Sequence, residues 1–383
     1  MVGEGGAGRP DPGDGAIWIT RTGDGPPGRR LAVKDLFDTA GVRTTYGSAI
    51  FREHVPDRTA AAVERLEAAG WVTVGKANLH EFAYGITSHN QHFGDVPNPR
   101  FPGRIAGGSS GGCGAALAAG EADLGLGTDT GGSIRIPAAC CEVVGFKPTF
   151  GLVPLDGCFP LAPSFDHAGP LARDVTTCAR AMRDLVPGFR EREVASLGEL
   201  EIGVAWLDDA EGRVAEAVEA AVRRLPRARA VELPRPDGVL PAFQREVADV
   251  HRELHAERGA EYGRAVGYRV ESALQVSARA ASAARDAREA YRRAFEEAMR
   301  GLDVVVTPTL PVEPFPLSVD ELEVRDRLTE NTFPFNALGA PALALPAGRT
   351  RGGLPASLQV VGRPGDDALV LAAGALIERA LAG

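Results

Sequence analysis

Cysteine is scarce in this chain and poorly placed for pairing. Its five residues, Cys113, Cys140, Cys141, Cys158 and Cys178, are an odd set with no C-x-x-C spacing, and adjacent residues such as Cys140 and Cys141 bridge only with difficulty. A disulfide scaffold and a zinc ribbon are therefore excluded, and a reducing, cytoplasmic setting is expected. Histidine is also thin, seven residues in 383, with no H-E-x-x-H or comparable ligand spacing, so no metal is expected. No run approaches the roughly 18 apolar residues that span a bilayer. The chain opens on Gly, Pro and Asp rather than on an apolar signal segment, and no membrane partner is expected. A surplus of positive charge is missing as well. The net charge of −9 counts against nucleic acid, which needs clustered Lys and Arg on its phosphates. It leaves a small-molecule substrate of any charge open.

What is present is an ordinary globular composition, 44% hydrophobic and 24% charged, enough for a large buried core. Length alone suggests two or three domains, but large α/β sheets exceed that prior. Residues 1–28 are rich in Gly, Pro and Asp and read as a weakly ordered tail, with residues 29–383 as one domain. Leu31 to Phe37 reads as a buried strand. Thr59 to Ala69 reads as a helix with Asp57 near its N-cap and Gly70 as its stop. Trp71 to Gly75 is then a second strand, so this opening is a βαβ unit with a parallel pair. A strand, helix and strand follow between Glu201 and Leu233, and residues from Pro241 to Arg300 are dense in helix formers. Asp303 to Thr307, ALALPAG and SLQVVG read as strands before a C-terminal helix. Pro187 to Leu197 reads as a surface loop. The alternation favours a single α/β domain.

Two Gly-Ser clusters, GGSSGG and GTDTGGS, stand out. Dense glycine loops cradle phosphate, allow close backbone packing, or aim N–H groups at a developing oxyanion. Neither cluster carries the lysine of a phosphate loop, and GLGTDTGG lacks the dinucleotide spacing. In TDTGGS a strand ending near Asp129 runs into Thr130, Gly131, Gly132 and Ser133, an arrangement suited to converging N–H groups in front of a hydroxyl. A serine nucleophile needs a base. His80, His89, His92 and His167 leave a Ser-His-Asp arrangement open. Lys34 is the other candidate, because it lies in the apolar strand AVKDLF, where desolvation would drive it toward the neutral form. Its plainer reading is a strand-end lysine paired with Asp35 or Asp38. Cys113 reads as a small apolar filler, Asn336 as structural, and Asp166 either as a turn residue or as a neighbour of the site.

The ordered segments AVKDLFDTAG, GKANLHEFAYG, GGSSGG, GLGTDTGGSIRIPA, GFKPTFGLVP, APSFDHAGPLARD, PTLP, FNALGAPALALPAG and GGLPASLQVVG closely resemble the amidase signature family of serine hydrolases. The resemblance runs from residue 31 to the end, with Ser109 placed 75 residues after Lys34 and Ser133 placed 24 after Ser109. It implies a mixed sheet with helices on both faces and hydrolysis of linear carboxamides, without metal or organic cofactor. By the same resemblance Ser133 is the nucleophile, Ser109 a proton relay in a cis peptide, and Lys34 the base. The N–H groups of Thr130, Gly131, Gly132 and Ser133 would form the oxyanion hole, with Ser110, Asp129 and Arg135 orienting the relay and tying down the loop.

The chain departs from the family in having only 33 residues before Lys34, where many members carry a longer helical portion. The resemblance extends to the glutamine-hydrolysing component of the glutamine-dependent tRNA amidotransferase, which makes a glutaminase working with a partner protein the alternative function. Thr329 or a neighbour stands where an acidic residue would be expected in that component, and this counts against glutamine. A non-catalytic scaffold is the contrasting alternative; all three triad residues being present counts against it. The expected partner is a small amide substrate, and a homodimer is left open.

Overall fold

The computed structural model describes residues 16–382. Among them one sheet of eleven strands runs through the molecule. In chain order the strands are β1 (Trp18–Arg21), β2 (Arg30–Lys34), β3 (Val72–Ala77), β4 (Leu124–Thr128), β5 (Val144–Lys147) and β6 (Ala168–Ala172). They continue with β7 (Ile202–Val204), β8 (Ala228–Ala230), β9 (Val304–Pro308), β10 (Ala342–Arg349) and β11 (Pro355–Val361). The sheet order is β1-β3-β2-β4-β6-β5-β10-β11-β9-β7-β8. It is mixed: β3, β2 and β4 run parallel, as do β9, β7 and β8, and the central joins are antiparallel.

Helices cover both faces. They are α1 (Ala61–Ala68), α2 (Gly111–Ala118), α3 (Arg135–Cys140), α4 (Val175–Leu185), α5 (Gly212–Val222) and α6 (Leu240–Arg258). Then come α7 (Arg264–Leu274), α8 (Ala278–Ala298), α9 (Glu321–Thr329), α10 (Phe333–Leu338) and α11 (Asp367–Ala382). Alternation along the strands assigns the faces. Leu31, Val33, Leu124, Leu126, Val304 and Val306 pack with α1, α4, α5 and α11. On the other face Ala32 meets α2, and Val305 meets the larger side chains of α6, α8 and α10. Small residues on the α2 side let that helix lie close to the sheet. A Cβ on Gly125 would sit 3.0 Å from Cys113 Cβ, and one on Gly112 only 2.4 Å from the Asn78 carbonyl oxygen. The first glycine cluster therefore serves close packing. No helix among the described residues is long and apolar enough to cross a membrane.

The βαβ opening is as expected, with β2 and β3 parallel around α1. Two local expectations are corrected. The tail expected over residues 1–28 contains β1, which pairs with β3; residues 1–15 lie outside the described residues. Trp18 anchors β1 by donating Nε1–H to Glu121 at 2.6 Å, and Ile17 accepts the Asn78 N–H at 2.9 Å. Asp57 does not cap α1. Ala60 precedes the helix without a side-chain cap, and the Ala60 and Ala61 N–H groups donate to the carbonyls of Asp38 and Asp156.

Gly112→Ala tests the tight seat of α2. In a solvated helix the change would stabilise by about 1 kcal/mol. Here the Asn78 backbone blocks the new methyl, so a net loss of about 1–3 kcal/mol is expected. Thermal denaturation should show a lowered Tm; an unchanged or raised one would mean that α2 has room to move.

Candidate active site

Parallel neighbours present their C-terminal ends on one edge of the sheet, and β2 and β4 are such neighbours. Lys34 ends β2 and Thr128 ends β4. Lys34 is fully buried. Its Nζ lies 2.7 Å from Ser109 Oγ and 2.7 Å from Thr128 Oγ1. Asp35 does not pair with it: that carboxylate faces Lys76 Nζ at 3.3 Å and accepts from Thr45. With hydroxyls instead of a counter-charge, burial brings Lys34 down from the ordinary lysine value to about 8.

Ser109 and Ser110 lead into α2, and the Gly108–Ser109 peptide is cis. The Ser109 carbonyl accepts the His80 N–H at 3.1 Å. Ser110 Oγ donates to the Thr128 carbonyl at 3.1 Å. The Ser110 N–H donates to the Ser133 carbonyl at 3.1 Å. Ser110 therefore fastens the segment carrying Ser109 both to β4 and to the residue expected to be the nucleophile. Lys34, Ser109, Ser110 and Ser133 are thus joined by direct contacts. Ser133 is held through its backbone, and its Oγ bonds to no other protein group among the described residues.

The turn between β4 and α3 is organised by Asp129. Its fully buried carboxylate accepts from the Gly132, Ile134 and Arg135 N–H groups, from Nε and Nη2 of Arg135, and from Asn336 Nδ2. Burial opposes its ionisation, but the Arg135 guanidinium and these donors hold it well below the usual carboxylate range. Arg135, equally buried, donates onward to the Thr332 carbonyl at 2.9 Å, Gln359 at 2.7 Å and Asn336 at 2.7 Å. Thr332 Oγ1 donates to the Gly131 carbonyl at 2.7 Å. Thr130 Oγ1 donates to Asp166 at 2.6 Å. Gly132 has φ of 132°, and a Cβ there would lie 2.3 Å from Thr332 Oγ1, so glycine is obligatory.

One expected donor is otherwise engaged. The Gly132 N–H lies 2.9 Å from Asp129 Oδ1, because the carboxylate needs donors from the turn that wraps it. The N–H groups of Thr130, Gly131 and Ser133 have no protein acceptor among the described residues, so they are the ones free to face a ligand.

Histidine does not join the serines. None of His80, His89, His92 and His167 bonds to Ser109 or Ser133 through its ring. His167 Nδ1 instead lies 2.7 Å from the Phe165 carbonyl, and burial holds its pKa well below the usual value. Cys113 fills space against the sheet, its thiol pushed up to about 12 by burial. Asp166 and Asn336 both turn out to brace the turn. Thr128, Thr332 and Gln359 were not singled out from sequence. One available signal was lysine scarcity: there are three lysines against 39 arginines, and Lys34, Lys76 and Lys147 are all fully buried.

The family model described as Amidase matches residues 28–371. The chain is 36% identical to the A subunit of the glutamyl-tRNA(Gln) amidotransferase of Natronomonas pharaonis, covering 94% of this chain and 97% of that protein. It is also 36% identical to AtzE, a 1-carboxybiuret hydrolase subunit, of Pseudomonas sp. (strain ADP), covering 92% and 84%. A crystal structure of an amidase superposes with a TM-score of 0.84 at 37% identity, covering 91% of this chain and 84% of that one. Both of these sequence relatives are named as subunits.

Removing one partner of the central ion pair should be severe. Arg135→Gln leaves the Asp129 carboxylate buried without its counter-charge, at a cost of about 3–5 kcal/mol. Adding Asp129→Asn should recover part of that loss. Chemical denaturation of both variants reads this directly. Equal stability of Arg135→Gln and wild type would show that the pair does not hold the turn.

Proposed function

This chain belongs to the amidase family, and we propose that it hydrolyses linear carboxamides through a Ser133 acyl-enzyme, with Ser109 as relay and Lys34 as base. The observation that carries the reading is the Lys34–Ser109 contact of 2.7 Å, made by a buried lysine with no carboxylate within 4 Å among the described residues. A base must release and regain a proton near neutral pH. An ion-paired lysine stays charged, whereas one held by hydroxyls gives up its proton more readily.

In the forward step neutral Lys34 takes the Ser109 hydroxyl proton while Ser109 takes that of Ser133. Ser133 Oγ attacks the amide carbon, and the carbonyl oxygen becomes an oxyanion. The free N–H groups of Thr130, Gly131 and Ser133 are suited to receive it, and such donors are worth roughly 3–4 kcal/mol each. Gly132 contributes by holding the turn against Asp129. Protons then run back from Lys34 through Ser109 to the nitrogen, the C–N bond breaks, and ammonia or an amine leaves. Water repeats the cycle on the acyl-enzyme. The five free cysteines support a reducing, cytoplasmic setting.

A second reading, the glutaminase component of a tRNA amidotransferase, is supported by the 36% identity to such a protein over nearly the whole of both chains. Thr329 weighs against it: the hydroxyl donates to the Arg325 carbonyl at 3.0 Å and supplies no charge for an α-amino group. Ammonia release from glutamine and from simple amides, measured on the chain alone, separates the two. Glutamine turnover that appears only with a partner would favour the second.

A fluorophosphonate should label the protein at Ser133, and labelling that persists in Ser133→Ala would overturn the nucleophile. For Lys34 the pH dependence has a definite sign. The active form is deprotonated, so kcat/KM should rise as pH passes about 8. Lys34→Ala should lower amide turnover by about 10²–10⁴-fold. A matched ester should lose distinctly less, because an alkoxide leaves without the protonation that an amide nitrogen requires. Equal losses on both substrates would remove the acid role from Lys34.

A further inference from the structure

Ser164 lies in the connection from β5 to β6, two residues before Asp166, and every polar group it has is held by a charged side chain. Its N–H donates to Glu246 Oε2 at 2.8 Å and its Oγ donates to Glu246 Oε1 at 2.6 Å. Arg288 donates from Nη1 to the same Oγ at 2.7 Å and from Nη2 to the Ser164 carbonyl at 2.8 Å. Glu246 belongs to α6 and Arg288 to α8, so two separate helices grip one small residue. The Glu246 carboxylate has no other hydrogen-bond partner among the described residues.

Helix packing does not account for Arg288. It stands in the buried stripe of α8 with Ala281, Ala284, Tyr291 and Phe295, where an apolar side chain would avoid the cost of burying a charge. Burial brings its pKa down to about 10. Its guanidinium lies 3.9 Å from the Phe165 ring centroid, and its Nε donates to the Ala337 carbonyl at 2.6 Å. Both contacts lead to the serine turn. Beyond Phe165, Asp166 accepts the Thr130 hydroxyl at 2.6 Å. His167 then exchanges both backbone bonds with Asp129, at 2.8 and 3.1 Å. Next to Ala337, Asn336 Nδ2 donates to the Asp129 carboxylate at 2.8 Å. Neither Glu246 nor Arg288 bonds to the turn itself.

We propose that Glu246 and Arg288 are positioning residues for the reaction, a role that rests on the amidase reading. They clamp Ser164 so that Asp166 fixes the Thr130 hydroxyl, and with it the direction of the Thr130 and Gly131 N–H groups. One hydrogen bond would leave Ser164 free to swing; a carboxylate and a guanidinium on opposite groups of the same residue leave it one position. An oxyanion donor acts through its alignment, and losing one altogether costs about 10²–10³-fold in kcat. The oxyanion forms only after attack, so the clamp acts on kcat and leaves KM nearly unchanged.

The test measures amide kinetics and the rate of fluorophosphonate labelling on the full chain. In Glu246→Gln the single amide oxygen satisfies one Ser164 donor and the amide nitrogen opposes the other; Arg288→Lys keeps the charge and loses the fork. Each should lower kcat by about 10–100-fold and leave KM within about threefold. Labelling should slow by a comparable factor, because the phosphonyl oxygen uses the same N–H groups. Glu246 reaches the turn only through Ser164, so a double-mutant cycle isolates the route. In a Thr130→Val background, which lacks the hydroxyl that Asp166 accepts, Glu246→Gln should cost less than about threefold. Wild-type kcat in either folded variant overturns the proposal, as does a loss confined to KM or a full loss in the Thr130→Val background. Should a variant fail to fold, Ser164→Ala, which removes the shared hydroxyl and little volume, should lower kcat by about fivefold or more at unchanged KM; wild-type kcat there overturns the proposal equally. Absence of a Ser133 adduct in the wild type would overturn the amidase reading itself, whereas a Ser133 adduct formed at one rate in all variants would overturn the clamp alone.

Discussion

A carboxylate removed from water must be met by donors on every side, and the serine turn is built around one that is. Asp129 takes six donors, three of them backbone N–H groups of the residues that follow it. The turn is therefore wrapped around its own charge, and its shape follows from satisfying that charge. Arg135 closes the arrangement from the first turn of α3 and carries it outward to α10 and β11 through Asn336, Thr332 and Gln359. A turn rich in glycine would otherwise be the loosest part of the candidate site. Here its freedom is removed by electrostatics, and at Gly132 also by Thr332, which leaves no space for a side chain.

The three lysines show how one kind of burial yields different chemistry. Lys76 faces Asp35, the Phe37 carbonyl and Thr44. Lys147 faces the carbonyls of Pro148 and Ala340. Carbonyls and carboxylates accept hydrogen bonds and give none back. Lys34 alone has hydroxyl partners only, and a hydroxyl both accepts and donates. When Lys34 is charged, Ser109 accepts from it; when Lys34 is neutral, Ser109 can donate to it. That reversibility is what a relay requires, and it comes from partner type rather than from depth.

Much of this was legible in the sequence wherever the signal is local. The βαβ opening, the late strands and the long helical stretch follow from periodicity, and Lys34 stood out as a charge in an apolar strand. Strand β1 was hidden because Ile17 to Ile19 is a short apolar stretch set in Gly, Pro and Asp. It becomes a strand only because β3 offers an edge, a partner more than fifty residues away. Residues such as Thr332, Asn336 and Gln359 were undervalued for a similar reason. Each is an ordinary polar residue in an apolar segment, and its role appears only when α10 and β11 are brought against α3. The engagement of the Gly132 N–H with Asp129 could not be read from the motif either, since the motif fixes the order of residues but not the direction of each N–H.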